Sequence, residues 1–299
     1  MRKKIVLIVN PIAGSHKNKA TLVQQVTQYF ADVGFDLTIQ YTAKRGDATE
    51  FARRAVNEHV DLVVAAGGDG TVNEVAIGLV NTQAVLGIIP LGSGNGLARS
   101  LQIPQKVIRA CEVISNGKVA AMDVGKANER YFFLIAGFGF DALVGKKFDE
   151  SPNRGALPYF YLSAKEFFNY KPSLLKIDFD GRSMLLSPFT IAVANGQQYG
   201  NNAKIAPDAK LNDGLFDICV IHKLSLFQIL SAVPKLFSGN MPKYASAEFY
   251  RAAELFVERE APDYVNIDGE PVWEEAVVRI SILPKSLKIV TPINVSCLI

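Results

Sequence analysis

The chain is poor in the residues that staple or metallate small domains. Its 299 residues include only three cysteines, three histidines and one tryptophan. Cys111, Cys219 and Cys297 lie far apart with no CxxC pair, which excludes a disulfide framework and a cysteine zinc site and suits a reducing cytoplasm. His16, His59 and His222 are scattered, as surface or structural histidines are. No apolar run reaches a membrane-spanning length; AVLGIIPLGSGNGLA (84–98) is broken by Gly and Pro. The start, MRKKIVLIVN, meets Asn10-Pro11 after the short run IVLIV, too soon for the apolar region of a signal peptide. Arg2, Lys3 and Lys4 then read as a solvated lead-in to a first strand. A net charge of +3 leaves no strong nucleic-acid footprint, so no nucleic-acid partner is expected. No internal repeat or low-complexity linker is visible. What is present is globular: 49% hydrophobic and 20% charged residues, enough for one large domain or two ordinary ones.

The first 125 residues alternate between strand and helix patterns. IVLIV (5–9), DLVVAAG (61–67) and AVLGIIP (84–90) are continuous apolar runs, as in strands buried on both faces. FDLTIQYT (35–42) alternates apolar and polar. Leu22, Val26, Phe30 and Val33 mark a helix over 18–33, with Gly34 where a C-cap belongs. Asp47 begins the next helix, with Glu50 in a capping-box-like position. Further helical patterns cover 72–80, 96–101 and 105–115. This alternation predicts a parallel sheet with helices on both faces. After about 120, strand-like runs dominate: 130–137, 174–180, 187–195, 215–222, 263–269, 276–284 and 287–292. They predict an antiparallel sandwich or barrel, interrupted by helical segments at 155–170 and 224–237. The expected division is 1–125 as an α/β nucleotide-binding domain and 126–287 as a β-sandwich lipid-binding domain, with 288–299 able to return to the first.

Three strand ends in the first half carry special loops: NPIAG (10–14), GGDGT (67–71) and PLGSGNG (90–96). Ligands of open parallel sheets bind outside the carboxyl ends of strands. Gly14, Gly67, Gly68, Gly70, Gly92, Gly94 and Gly96 crowd that edge, where glycine lets backbone N–H groups approach an anion. Each loop leads into a helix whose N-terminus favours negative charge. Any one loop is an ordinary tight turn; the three together read as a phosphate cradle. No Walker loop and no protein-kinase HRD arrangement occurs. GFGFDA (137–142) matches a dinucleotide fingerprint, but no βαβ pattern surrounds it. Asp69 sits among the anion-binding glycines, where its carboxylate would repel phosphate unless a Mg²⁺ lay between them. The other reading of Asp69 is an Asx-turn or helix cap onto Thr71 or Val72.

GGDGTVNEV (67–75) resembles the signature of the diacylglycerol kinase catalytic domain family, which includes soluble bacterial lipid kinases and sphingosine kinases. NPIAG, PLGSGNGLAR (90–99), KLNDGLFD (210–217) and IDGEP (267–271) are similar to its other motifs, in the same order and across essentially the whole chain. The G-S-G-N spelling resembles the sphingosine and ceramide kinase branch. The resemblance implies an N-terminal α/β domain like that of phosphofructokinase and NAD kinase, followed by a C-terminal all-β sandwich. It implies an ATP-dependent lipid kinase, acting on diacylglycerol or a sphingoid-type lipid, with ATP and Mg²⁺ as cofactors. By this resemblance Asn10, Pro11, Ile12, Ala13, Gly14, Thr42, Gly67, Gly68, Asp69, Gly70, Thr71, Asn73, Glu74, Gly92, Ser93, Gly94 and Asn95 would contact ATP. A structural Mg²⁺ would use Asp213 with the carbonyls of Lys210 and Leu215, and Glu270 would be the catalytic base alongside Asp69. Ala13 departs from the usual serine of the first motif, which removes a hydroxyl near the phosphates.

Without the resemblance, Asp268-Gly269 reads as a hairpin turn, Glu270 as a rim carboxylate, and NDG (212–214) as another turn. LSLFQILSAVPKLF (224–237), with Lys223, Lys235 and Lys243 nearby, and GALPYFYLSAKEFFNY (155–170) read either as a membrane-touching rim or as helices packed on the sandwich. The expected protein is cytoplasmic and peripheral to the membrane, with a lipid substrate and transient membrane-surface contact. Its oligomeric state is not legible, a homodimer being one option. Two rival readings are an NAD kinase-like enzyme, whose TPTGSTAY-type stretch is missing here, and a nucleotide- or lipid-binding regulator without turnover.

Overall fold

The structure is a computed structural model that describes residues 3–14, 19–151, 156–222 and 225–298. Arg2, His16 and Lys223 lie outside the described residues. The chain divides into two compact units, Met1–Asp123 with Pro284–Ile299, and Val124–Leu283.

The first unit contains β1 (Lys4–Val9), α1 (Lys19–Asp32), β2 (Asp36–Tyr41), α2 (Asp47–Asn57), β3 (Leu62–Gly67), α3 (Asp69–Leu79), β4 (Val85–Pro90), α4 (Gly96–Ser100) and α5 (Val107–Asn116), then the start of β5 (Lys118–Ala127). β2, β1, β3 and β4 form a parallel sheet in that order. Burial on both faces explains the unbroken apolar runs of β1, β3 and β4. Ile5, Leu7 and Val9 pack with Leu22, Val26 and Phe30 of α1. Val33 does not join them: α1 ends at Asp32 and Val33 is 44% exposed. Gly34, at φ +83°, caps α1, and Phe35 N–H closes onto Phe30 O at 2.9 Å. α2 begins at Asp47, but its cap is not the expected box. The N-cap is Gly46, and Asp47 turns backwards to accept Ala43 and Lys44 N–H at 2.8 and 2.9 Å. Those donors hold the Asp47 carboxyl below its usual range.

The second unit continues through β6 (Arg130–Phe132), β7 (Ile135–Gly139), α6 (Phe140–Asp149), α7 (Ala156–Phe167), β8 (Leu175–Phe179), β9 (Arg182–Leu186), β10 (Thr190–Ala194), β11 (Phe216–Ile221), α8 (Leu226–Ser238), β12 (Ala247–Ala252), β13 (Glu254–Arg259), β14 (Asp263–Ile267), β15 (Glu270–Glu274) and β16 (Val277–Thr291). One antiparallel sheet runs β12-β11-β10-β7-β14-β15. In the other, β13 lies between β8 and β16, with β9 beyond β8. Phe138, Ile191, Val193, Phe216 and Ile218 from the first sheet and Ile177, Leu255, Val257 and Ile280 from the second share one core. This is a sandwich rather than a barrel. β16 then continues into the first unit, where Lys288 and Ile289 pair in parallel with Val85 and Leu86 of β4.

Several sequence expectations change here. The run 130–137 is two strands, because the chain bends at 133–134. The runs 276–284 and 287–292 are a single strand, carried past Pro284 by Lys285 in the left-handed region at φ +50°. The Lys285 N–H is taken by buried Asp123 at 2.7 Å. β5, β9, β12, β13, β15 and α6 have no run of their own in the sequence reading. β9 had a readable signal, since Asp180-Gly181, at φ +48° and +72°, forms the hairpin from β8. GFGFDA lies at the β7–α6 junction, and β7 has only antiparallel neighbours, so no dinucleotide fold surrounds it.

Its glycines serve packing. A Cβ on Gly137 would lie 1.7 Å from Asp141 Oδ2. Asp141 is buried beneath that strand and accepts Asn266 Nδ2–H at 2.9 Å, while its Oδ2 has no hydrogen-bond partner. Burial pushes its carboxyl up to about 6, against the hydrogen bonds of Asn266 and Tyr199. Between the ordinary value of 3.8 and about 6 the folded chain holds a proton that the unfolded chain releases. This carboxyl therefore stabilises less as pH rises through that window. The melting temperature of Asp141→Asn minus that of the wild type should accordingly grow from about pH 4 to about pH 7. A difference independent of pH would show that Asp141 is ionised in the fold throughout.

Candidate active site

In the first unit the three glycine loops meet at the carboxyl ends of β1, β3 and β4. Asn10 is fixed by Ala66 O, which accepts its N–H at 3.0 Å. Its side chain donates from Nδ2 to Thr71 Oγ1 at 3.1 Å and accepts Ile12 N–H at 3.0 Å. The first loop is thus tied to the second and folded on itself. Thr42 lies beside the first loop, with its N–H on Val9 O at 3.0 Å. Ile12 is 87% exposed, and Gly70 and Ser93 are also exposed.

Asp69 joins the second loop to the third. Its Oδ2 accepts Asn95 N–H at 2.9 Å and its Oδ1 accepts Gly96 N–H at 2.6 Å. Neither Thr71 nor Val72 is the segment capped; the carboxylate caps α4 across the loop. Burial raises the Asp69 carboxyl, while the N–H groups of Gly96 and Asn95 and the Arg99 guanidinium pull it down. Arg99, which sequence reasoning passed over, donates Nε–H to Gly94 O at 2.8 Å. Asn95 takes a left-handed φ of +47° and closes the third loop, accepting Gly92 N–H at 3.0 Å and donating to Gly92 O and Gln105 Oε1, both at 2.8 Å.

These contacts give the glycines a further reason to be there. A Cβ on Gly14, which has φ +71°, would lie 2.0 Å from Leu91 O. One on Gly92 would lie 2.7 Å from Gly68 Cα, and one on Gly94 would lie 2.7 Å from Asp69 Oδ2. The loops are glycine-rich because they pack backbone to backbone. Gly68 is the N-cap of α3, whose first-turn N–H groups have no intrahelical acceptor. Glu74, one turn further along α3, accepts Gly46 N–H at 3.0 Å and Ala48 N–H at 3.2 Å, and so caps α2. Asn73 is half-buried on the same helix.

In the second unit Asp268 and Gly269 form the predicted hairpin turn, with φ of +50° and +92°. Glu270 opens β15 opposite Ile267 and is half-buried. β7, β11 and β15 run in one direction, so Glu270 and the Asp213 turn lie along the same end of the sheet. β10, β7 and β14 lie between β11 and β15, a lateral separation of roughly 19 Å. Asp213 accepts Leu215 N–H at 3.2 Å and an Arg251 Nη2–H. Arg251 Nε also lies 3.7 Å from Asp217 Oδ1. Asp217 Oδ2 is buried without a hydrogen-bond partner. Burial pushes the Asp217 carboxyl up to about 6; Arg251 lowers it, and Asp213 and Asp208 raise it. Among the described residues no three His, Cys, Asp or Glu side chains are grouped to hold a metal. One carboxylate with the carbonyls of Lys210 and Leu215 needs no such group, and the orphan Asp217 oxygen beside acidic neighbours suits an oxygen-seeking cation.

His222 pairs with Glu248 at 2.8 Å on the surface, and His59 takes a left-handed conformation after α2. Among the described residues no helix is long and apolar enough to cross a membrane. α7 and the residue after it leave Tyr161 74% and Phe168 70% exposed, whereas Phe167 packs edge-on against Phe140. On α8, Val233 and Phe237 are exposed.

Comparison with known proteins agrees with this architecture. The family described as "Diacylglycerol kinase catalytic domain" matches residues 4–127, and "YegS C-terminal NAD kinase beta sandwich-like domain" matches 135–291. The chain is 32% identical over 276 residues to a diacylglycerol kinase of Bacillus subtilis, covering 90% of each. It is 30% identical over 282 residues to one of Staphylococcus saprophyticus, again covering 90% of each. A crystal structure of a diacylglycerol kinase from Bacillus anthracis superposes with a TM-score of 0.76 at 26% identity, covering 97% of both chains.

Asp69→Asn should lower the melting temperature, since an amide NH₂ would replace one of two oxygens that accept N–H groups. The expected cost is about 1–3 kcal/mol. Thermal unfolding checks it, and an unchanged melting temperature would mean that the carboxylate does not hold the loops together.

Proposed function

Because this chain belongs to the diacylglycerol kinase family and is a lipid kinase, we propose that it transfers the γ-phosphate of ATP to a hydroxyl of a diacylglycerol or sphingoid-type lipid. The observation that carries this reading is the joining of three glycine loops at the strand ends by Asn10–Thr71 and by Asp69 on Asn95 and Gly96. Such a cradle offers backbone N–H groups and the N-terminus of α3 to phosphate oxygens. Asn10 to Gly14, Thr42, Gly67 to Thr71, Asn73 and Gly92 to Asn95 hold the nucleotide. Glu74 acts on that site through α2, whose start it caps.

Phosphoryl transfer passes through a loose transition state, so orientation and charge neutralisation dominate. Glu270 accepts the proton of the lipid hydroxyl at its carboxylate. Mg²⁺, when bound, supplies positive charge against the phosphate oxygens. Asp69 would help to hold that ion with the lone pairs not already accepting N–H groups. A second Mg²⁺ would be held by Asp213 with the carbonyls of Lys210 and Leu215. The exposed Tyr161 and Phe168 at α7, with Lys165, and Val233 and Phe237 on α8, with Lys235, are the residues that would meet a lipid interface.

Labelled ATP with a panel of diacylglycerols and sphingoid bases should yield a phosphorylated lipid. Label transfer to none of them would overturn the substrate class. On the lipid so identified, Glu270→Gln should lower kcat by about two to four orders of magnitude with the KM for ATP nearly kept. A raised lipid KM with kcat retained would make Glu270 a binding residue. Added Mg²⁺ should raise the melting temperature of the wild type by mass action, and Asp213→Ala should abolish that response. The same Mg²⁺ response in the variant would place the ion elsewhere.

A further inference from the structure

We infer that Asp268 is the positioning residue for Glu270, an inference that rests on the reading of Glu270 as the base. The bend at 133–134, between β6 and β7, turns three successive N–H groups toward one carboxylate. Phe133 N–H donates to Asp268 Oδ2 at 2.7 Å, and Leu134 and Ile135 N–H donate to Oδ1, both at 2.9 Å. The return bond runs from Asp268 N–H to Ile135 O at 3.0 Å. The carbonyls of the same bend are held from the other side. Asn195 Nδ2–H donates to Phe133 O at 2.9 Å, and the N–H groups of Asn195 and Gly196 donate to Leu134 O at 2.8 and 3.0 Å. Phe133, Leu134, Ile135 and Asn195 are all buried. The bend is therefore a fixed point of the sheet, and Asp268 is bolted to it.

Glu270 stands two residues beyond that anchor. Only Gly269 lies between them, and the first cross-strand pair of the hairpin, Ile267 with Glu270, closes the turn. A type I′ turn leaves its tip free to rock unless something outside the hairpin holds it. The Asp268 carboxylate supplies that restraint with charge-assisted bonds, which are shorter and stronger than neutral ones. A general base must stay within hydrogen-bond reach of the proton that it takes, and a displacement of about 1 Å costs on the order of a hundredfold in rate. Asp268 has no need to touch the substrate to matter; it fixes the backbone from which Glu270 reaches.

The test is a double-mutant cycle on the full chain, with Asp268→Asn, Glu270→Gln and the pair, measuring kcat and both KM values on the phosphorylated lipid. Asn-Gly is the favoured pair for this turn, so Asp268→Asn keeps the hairpin while an amide NH₂ replaces one of the two oxygens that accept the N–H groups of the bend. The expected result is a fall in kcat of about a hundredfold with lipid KM nearly kept, and no additional loss when Glu270 is already Gln. An equal loss in both backgrounds would show that Asp268 acts independently of Glu270 and would overturn the inference while leaving the base in place. Near-normal kcat in Glu270→Gln alone would remove the base itself, and the inference with it. If Asp268→Asn does not fold, Asp268→Ser, which keeps an acceptor oxygen without turning an amide NH₂ toward the bend, enters the same cycle and is judged by the same two outcomes.

Discussion

A carboxylate that accepts backbone N–H groups from a distant segment is the contact on which this chain's loop architecture depends. Asp69 holds the third glycine loop against the second in this way. Glu74 holds the start of α2, Asp123 holds the left-handed step in β16, and Asp268 holds the bend before β7. In each case a short side chain replaces a stretch of regular secondary structure that the loop cannot form. The substitution works because an ionised acceptor makes stronger bonds to N–H groups than a neutral one. It also explains why acids and glycines occur side by side: a side chain on Gly94 would press against the carboxylate that the loop must receive.

The same contact separates what was legible in the sequence from what was not. β1, β3 and β4 were readable because burial on both faces writes an unbroken apolar run. β13 was not, because its exposed face carries Glu254 and Glu258, and β12 was not, because Glu248 and Arg251 put a charge on each of its faces. The run 130–137 looked like one strand because its residues are apolar throughout; its bend is imposed by Asp268, which lies more than 130 positions away. Val33 kept helical spacing but fell past the end of α1.

Within the candidate site, the loops could be found from their glycines and the order of their motifs. Their mutual packing could not, since spacing says nothing of which backbone touches which. Asp69 stands out in the sequence as a carboxylate among glycines, yet its partners, Asn95 and Gly96, are on another loop. Arg99 lies within PLGSGNGLAR, but its partner is a backbone carbonyl, Gly94 O, which no spacing of side chains announces. Asp141 gave even less warning, as its burial follows from the glycine above it rather than from its own neighbours in sequence.

The path of β16 has a consequence for the order in which the chain can acquire structure. The second unit is continuous in sequence, so all its pairings are available once Leu283 has left the ribosome. The first unit is split, and the partner of β4 at its sheet edge arrives only with Lys288 and Ile289. Until then that edge of β4 presents unpaired backbone groups, the kind of surface on which strands of other chains add. The glycine loops at the ends of β1, β3 and β4 thus belong to a sheet that is completed last, after the unit that carries Glu270.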